Sequence, residues 1–178
     1  MIATSRHSLL LMAMVALFFS TGVFAKNLKE VIVDKTSRTL WLISDSEVIG
    51  EFQISLGPNP DGHKLERGDG KTPEGIYSLT WKKSDSAYYK SIHINYPNSA
   101  DRLSASSRGV SPGGSIKIHG LPNDSPFDAV DHLAFDWTEG CIAVSNEAID
   151  VLWNAAPTNT TIHIYKDLFN TGLPLLAR

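Results

Sequence analysis

The strongest constraint on the fold is a succession of short runs rich in β-branched and aromatic residues, separated by turn-forming residues. Such runs predict strands, and they cover residues 30–34, 39–43, 48–56, 75–81, 91–96, 115–119 and 161–165. Turn chemistry between the second and third runs predicts a hairpin. We therefore expect a mainly β domain, built as a curved antiparallel sheet or sandwich with one or two short helices.

Two segments predict these helices. One covers residues 100–109, and the other begins after Ser145, a favourable N-cap, and ends before Pro157. The apolar stripe of the second helix comprises Ile149, Leu152, Trp153 and Ala156. Residues 57–75 hold five glycines and three prolines, which predicts a long ordered loop of a kind that is often functional.

Residues 1–25 carry the pattern of an export signal. Arg6 precedes an uncharged apolar run over residues 9–19, and a small-residue cleavage site ends at Ala25. We expect cleavage there, with an uncleaved anchor as the alternative, and a single domain over residues 26–178. No later stretch is apolar enough to cross a membrane. Loss of the one basic signal residue takes the net charge from −3 to −4, which gives no electrostatic case for nucleic acid binding.

The chain has a single cysteine, Cys141, and an odd cysteine in an exported chain suggests a reactive thiol or an intermolecular disulfide. Strand alternation over residues 115–119 puts His119 on the face opposite two isoleucines. The same alternation over residues 141–144 puts Cys141 and Ala143 opposite two branched side chains. We expect Cys141 and His119 to meet in one cleft. The N-terminus of the following helix lowers the pKa of the thiol if the fold brings the sulfur near it.

These residues form a motif with a known counterpart. The segment Thr138-Glu139-Gly140-Cys141-Ile142 follows the pair His119-Gly120, and the two candidate groups are 141 − 119 = 22 positions apart. This arrangement resembles the L,D-transpeptidase (YkuD-type) catalytic domain family. The sequences GPNP, GDGKTPEG, Tyr96-Pro97-Asn98 and SPGG are similar to its exported Gram-negative branch. The resemblance covers most of residues 26–178 and implies that family's β fold and a periplasmic location.

The resemblance implies a thiol acyltransferase that acts on peptidoglycan stem peptides without a cofactor. Cys141 would be the nucleophile and His119 the base, its ring oriented by the Gly120 carbonyl. The N–H groups of Gly140 and Cys141 would form an oxyanion hole. The thiolate would attack the bond between diaminopimelate and D-alanine in a tetrapeptide stem, release D-alanine and leave a thioester.

The sequence leaves the acceptor open. A second stem peptide gives a 3→3 cross-link, a lysine of a wall-anchored lipoprotein gives protein anchoring, and water gives a trimmed stem. The chain has Thr138, Glu139 and Ala143 where the family most often has serine, histidine and arginine. Absence of the arginine removes an anchor for a carboxylate. Glu139 would repel an anionic stem or attract an amine acceptor.

Simpler structural roles stay open for several of these residues. A lone cysteine is commonly a core thiol, and a strand histidine such as His119 is commonly satisfied by a backbone carbonyl. His93 either lines the cleft or meets solvent, and the segment 136–138 either shapes a cleft wall or packs. Three histidines are left out of the site because they lack the spacing of metal ligands, namely His63, His132 and His163. Three basic residues of the glycine-rich loop are left out because they are interpreted as solvated charges, namely Lys64, Arg67 and Lys71.

The same residues bear on three other functions, namely a serine acyltransferase, a hydrolase and a non-enzymatic binding module. A serine acyltransferase is disfavoured because Ser-x-x-Lys does not occur, and the Gly-x-Ser-x-Gly match at residues 109–113 follows a predicted helix instead of the strand that a nucleophile elbow requires. A hydrolase on the same scaffold, either an L,D-carboxypeptidase or an enzyme that detaches wall-linked protein, is one alternative. A non-enzymatic wall-binding module, in which Cys141 forms a disulfide between chains, is the other.

Overall fold

The computed structural model describes residues 28–124 and 129–171. Within these ranges the chain forms eight strands, three α-helices and one 3-10 turn. The strands are β1 (Glu30–Asp34), β2 (Thr39–Ser44), β3 (Glu47–Gln53), β4 (Gly75–Ser86), β5 (Tyr89–Ile94), β6 (Lys117–His119), β7 (Ile142–Ala143) and β8 (Thr160–Tyr165). The helices are α1 (Ser99–Ser107), α2 (Ala129–Leu133) and α3 (Asn146–Ala155), and the 3-10 turn is Phe169–Thr171.

The strands form one curled sheet in the order β3-β2-β1-β8-β4-β5-β6-β7. Of the seven strand pairs in the described parts of the chain, five are antiparallel, while β1–β8 and β6–β7 are parallel. Strand β8 lies between β1 and β4, so it joins the N-terminal hairpins to the strands that carry the motif. The prediction of a mainly β fold with short helices is confirmed.

Several strand boundaries differ from the predicted ones, and the two largest differences are at the ends of β4 and β3. Strand β4 continues to Ser86, five residues (86 − 81) beyond its predicted end, because its polar outer half pairs with β5 in a hairpin. Strand β3 ends at Gln53, and Ser55 instead forms an isolated bridge with Ala143 through two backbone hydrogen bonds of 2.9 Å. This bridge ties the end of the third predicted strand to the segment that follows Cys141.

Both predicted helices are present and capped by side chains. Helix α1 carries a capping box in which Asn98 Oδ1 accepts from two backbone N–H groups and Asp101 accepts from the Asn98 N–H. Helix α3 begins after Ser145, whose hydroxyl accepts from the Ala148 N–H at 3.2 Å. The buried side of α3 contacts β5, which fixes the chain immediately after the motif.

The main hydrophobic core combines inward-facing strand residues with one side of α3. Ile116, Ile118, Ile142 and Val144 all belong to it. Their burial fixes the direction of the intervening side chains, as alternation predicts.

The glycine-rich loop of residues 57–75 is held by a buried lysine. Lys35 Nζ donates to Gly62 O at 2.8 Å, to Thr72 O at 3.1 Å and to Glu74 Oε1 at 2.9 Å. Burial lowers the pKa of Lys35, although the Glu74 carboxylate opposes that effect. One ammonium group thus fastens two separate parts of the loop, at Gly62 and at residues 72–74, to the segment after β1.

The predicted export signal, residues 1–25, lies outside the described residues. In the two ranges that the structure describes, none of the helices has the length and apolar character needed to cross a membrane.

Candidate active site

Cys141 and His119 line the same cavity, as the sequence predicts. Strand β6 carries His119, and Cys141 lies directly before β7, the parallel neighbour of β6. The cavity has a volume of about 310 Å³. Its walls comprise Ser86, Tyr88, Ser91, Lys117, His119, Trp137, Thr138, Glu139 and Cys141. We name it the nucleophile cavity.

The His119 ring is buried and oriented. Its Nδ1 lies 2.7 Å from the Gly120 carbonyl oxygen, and because a carbonyl only accepts, Nδ1 carries the hydrogen and Nε2 is left as the basic nitrogen. The Tyr88 ring lies 4.5 Å and the Trp137 ring 5.7 Å from the imidazole, measured between centroids. Burial lowers the pKa of His119 to about 4, partly opposed by the Gly120 hydrogen bond, so the ring is neutral near pH 7.

The Cys141 thiol is half-buried and lies 3.6 Å from the Ser115 carbonyl oxygen, to which it donates. Burial raises the pKa of Cys141, and a hydrogen bond from the Lys117 backbone N–H offsets only part of that rise. The net shift is therefore upward, opposite to the lowering expected from a helix N-terminus near the sulfur, because desolvation dominates. A protonated thiol beside a neutral imidazole needs that imidazole as its base.

Thr138 organises the turn that presents the thiol. Its hydroxyl accepts from the Gly140 N–H at 3.1 Å and donates to the Cys141 carbonyl at 2.8 Å. The Thr72 hydroxyl donates to the Gly140 carbonyl at 2.9 Å. The hydroxyl that replaces the usual serine is thus committed to the turn, and so is the Gly140 N–H.

Gly140 is required by the backbone at this turn. Its φ is +115°, and a Cβ there would lie 2.4 Å from the Lys71 carbonyl oxygen. Such a φ is essentially restricted to glycine. The glycine-rich loop therefore packs directly behind the nucleophile turn.

Ala143 occupies the position at which the resembled family most often has an arginine, and its surroundings account for the small side chain. The residue is 0% exposed and is bridged to Ser55 on its outer side. Alternation places Ala143 on the same strand face as Cys141, and its complete burial shows that this face is covered at position 143. A larger side chain such as arginine would have to displace the atoms that bury Ala143.

A second cavity of about 930 Å³ adjoins the first. The two share Trp137, Thr138 and Glu139 as lining residues. The remaining walls come from the glycine-rich loop, including Lys64 and Arg67, and from the segment 113–116. We name it the groove, and its size suits an extended peptide better than the nucleophile cavity does.

The interpretation of Lys64 as a solvated charge is wrong. Its side chain is buried and its Nζ lies 2.7 Å from Asp69 Oδ1. Burial raises the pKa of Asp69, but hydrogen bonds from Lys64 and from the N–H groups of Leu65, Glu66 and Lys71 outweigh it and hold that pKa below its usual range. Arg67, by contrast, is exposed and lines the groove.

The segment before the motif forms a fixed wall. Arg38 binds both carboxylate oxygens of Asp136, which also accepts from the Leu56 N–H at 2.9 Å. The indole N–H of Trp137 donates to the His132 carbonyl at 2.9 Å. The segment 136–138 both packs and shapes a cleft wall, because Trp137 contacts the His119 ring and also lines the two cavities.

The other histidines of the described ranges do not line the nucleophile cavity with Cys141. His93 stacks on Trp81 with ring centroids 4.7 Å apart, and its Nδ1 lies 2.8 Å from the Thr80 hydroxyl. His63 bonds to Asp101, and His163 lies 3.1 Å from Glu30. Over residues 28–124 and 129–171, no group of three or more potential ligands is arranged to hold a metal ion.

Sequence reasoning missed two side chains that surround His119. Tyr88 lies in the β4–β5 turn and covers the imidazole, while Ser91 is the cross-strand neighbour of His119 on β5. Neither belongs to a motif. Only the β5–β6 register, which the sequence does not reveal, would have located Ser91.

The family assignment agrees with this geometry. The family described as the L,D-transpeptidase catalytic domain (YkuD) matches residues 28–164. The chain belongs to this family. Among curated proteins it is similar to YafK of Escherichia coli K12, provisionally named an L,D-transpeptidase, with 35% identity over 111 residues, which is 61% of this chain and 35% of YafK.

Solved structures show the same fold. The helical cell shape determining protein Pgp2 of Campylobacter jejuni superposes with a TM-score of 0.60 at 27% identity, over 80% of this chain and 49% of Pgp2. Bd1075 of Bdellovibrio bacteriovorus gives a TM-score of 0.58 at 27% identity, over 80% of this chain and 49% of Bd1075. This chain thus spans about half the length of these structural relatives and about a third of YafK.

Proposed function

We propose that the protein is a peptidoglycan L,D-transpeptidase whose nucleophile is Cys141 and whose base is His119. The observation that carries this proposal is that the thiol and the imidazole line one cavity while Gly120 fixes the far nitrogen of the ring. Membership of the family supports the reaction class, and the geometry of the site supports the two residue roles. The predicted signal at residues 1–25 supports a periplasmic location for the reaction.

In the first step His119 Nε2 takes the proton of the Cys141 thiol. The thiolate then attacks the carbonyl carbon of the diaminopimelate–D-alanine bond, forming a C–S bond and a tetrahedral oxyanion. The Gly140 N–H is committed to Thr138, so Gly140 contributes the tight turn and the Cys141 N–H is the oxyanion donor of the proposal. Collapse breaks the C–N bond, and His119 returns its proton to the departing D-alanine amine.

The acceptor amine then reverses these steps on the thioester. Glu139 is exposed and lines both the groove and the nucleophile cavity. A carboxylate there attracts a protonated amine toward the thioester, where His119 can take its proton. This favours transfer to a diaminopimelate or lipoprotein lysine amine over transfer to water.

The experiment is mass spectrometry of disaccharide-tetrapeptide fragments after incubation with the protein, beside a Cys141→Ala variant. We expect 3→3 cross-linked dimers with the parent protein and none with the variant. Tripeptide stems alone would show a carboxypeptidase on the same scaffold. Unchanged fragments would refute stem cleavage and favour either detachment of wall-linked protein or a binding role.

A matched variant tests the acceptor argument. Glu139→Gln keeps the shape of the side chain but removes its charge. We expect the ratio of dimers to tripeptides to fall, with total cleavage of stems retained, because the donor step does not use this carboxylate. An unchanged ratio would contradict the role assigned to Glu139.

A further inference from the structure

Ser91 carries a buried hydroxyl with no hydrogen-bond partner among the described residues. The residue is 1% exposed and lies inside β5. Buried polar side chains are nearly always hydrogen-bonded, and an orphaned one calls for an explanation, often a functional one. The hydroxyl also lines the nucleophile cavity.

The position of Ser91 relative to His119 is fixed by strand register. Ser91 faces His119 in the antiparallel β5–β6 pair. The flanking backbone bonds, Ile94 N–H to Ile116 O and Gly120 N–H to Lys90 O, show that this pair is of the non-hydrogen-bonded kind. The Cβ atoms in such a pair are about 4.5–5.5 Å apart. Ser91 is therefore a direct neighbour of the imidazole on the side away from β7.

The Gly120 carbonyl is the hydrogen-bond acceptor that supports the charge on the imidazole during the reaction, and it offsets only part of the cost of burial. Its ring is desolvated by Tyr88 and Trp137, and the nearby cation Lys117 further disfavours the protonated form. Glu139 and the Cys141 thiolate are the acidic groups lining the cavity, and the thiolate loses its charge once it attacks. Between attack and departure of D-alanine, the imidazolium needs another negative dipole.

A hydroxyl without a committed partner can supply that dipole. The hydroxyl can rotate so that its oxygen, and not its hydrogen, faces the charged ring. This rotation breaks no existing hydrogen bond. A serine already bonded to a carbonyl would have to give up that bond first. The missing partner of Ser91 is thus an advantage for the reaction, retained at the expense of stability.

We propose that Ser91 is a positioning residue, whose free hydroxyl reorients to stabilise and hold the protonated His119 ring while that ring carries the proton between Cys141 and the leaving amine. The inference rests on the proposed function for the identity of the base. No net proton enters or leaves Ser91, since the proton passes from Cys141 Sγ to His119 Nε2 and then to the amine nitrogen.

The test measures alkylation of Cys141 by iodoacetamide at neutral pH, followed by mass spectrometry of the intact protein, because this rate reports the thiolate–imidazolium pair without any peptidoglycan. We expect Ser91→Ala to alkylate about fivefold more slowly than the parent protein. Ser91→Thr, which keeps the hydroxyl on a strand-favouring side chain, should remain within about twofold. With a cross-linking substrate, Ser91→Ala should lower kcat while leaving KM unchanged.

Ser55→Ala is the matched control. Ser55 is also 1% exposed, but its hydroxyl donates to the His132 carbonyl at 2.9 Å, and it does not line the nucleophile cavity. We expect Ser55→Ala to lower the melting temperature without slowing alkylation, and Ser91→Ala to do the opposite. Alkylation of Ser91→Ala at the parent rate, or slower alkylation together with a lower melting temperature, would overturn the proposal. If the Ser91 effect stands but stems are not cleaved, the proposed substrate fails and the positioning role survives.

Discussion

Replacement of Gly140 by alanine tests whether the nucleophile turn is as tightly constrained as the structure indicates. An L-residue at φ +115° costs about 1–3 kcal/mol in backbone strain. The new Cβ would also lie 2.4 Å from the Lys71 carbonyl oxygen. A backbone oxygen cannot rotate away as a side chain can, so its displacement adds about 1–3 kcal/mol. We expect Gly140→Ala to lower the free energy of unfolding by about 2–6 kcal/mol in total.

Gly109→Ala separates the two contributions. Gly109 has φ +70°, and a Cβ there would meet no atom within 4 Å, so only backbone strain of about 1 kcal/mol is expected. The assay is urea unfolding followed by the fluorescence of the four tryptophans. Gly140→Ala should be less stable than Gly109→Ala by about 1–5 kcal/mol. Equal losses in the two variants would refute the claim that the glycine-rich loop packs against the nucleophile turn.

Three further predictions concern the same site. Because the pKa of His119 is about 4 in the folded chain against 6.5 for the free side chain, the unfolded chain binds more protons between these values. Stability should therefore fall by up to about 3 kcal/mol as the pH drops from 6.5 to 4, and urea midpoints of His119→Gln should show less of this fall. Thr138→Val should destabilise by about 1–3 kcal/mol in the same assay, since it leaves the Gly140 N–H and the Cys141 carbonyl unpaired, whereas Thr138→Ser should keep both bonds and most of the stability. Lys64→Met should lower the urea midpoint because it leaves the Asp69 carboxylate without its cation, and an unchanged midpoint would contradict the role given to that pair.

Alternation was the most reliable guide from the sequence to the site. It placed Ile116, Ile118, Ile142 and Val144 in the core, and the structure buries all four. Because those four side chains point into the core, His119 and Cys141 both point to the other face, where they line one cavity. Local chemistry also gave the Ser145 cap and the extent of α3.

What the sequence missed depends on contacts between distant segments. The parallel β6–β7 pair, the Ser55–Ala143 bridge and the Ser91–His119 pair join segments whose register no local pattern records. The pKa of Cys141 was predicted in the wrong direction because helix proximity is visible in sequence, whereas desolvation by surrounding walls is not. Burial of Lys64 was missed because its partner, Asp69, is only one of several acids in a charged loop.

The central claim is tested most directly by trapping the acyl-enzyme. The protein is mixed with a tetrapeptide-stem donor without an amine acceptor, quenched in acid and weighed intact by mass spectrometry. The account predicts an adduct equal to the stem less D-alanine, located on Cys141, sensitive to hydroxylamine, absent from Cys141→Ala and strongly reduced in His119→Gln. Consumption of the stem by Cys141→Ala, or an adduct on any other residue, would contradict it.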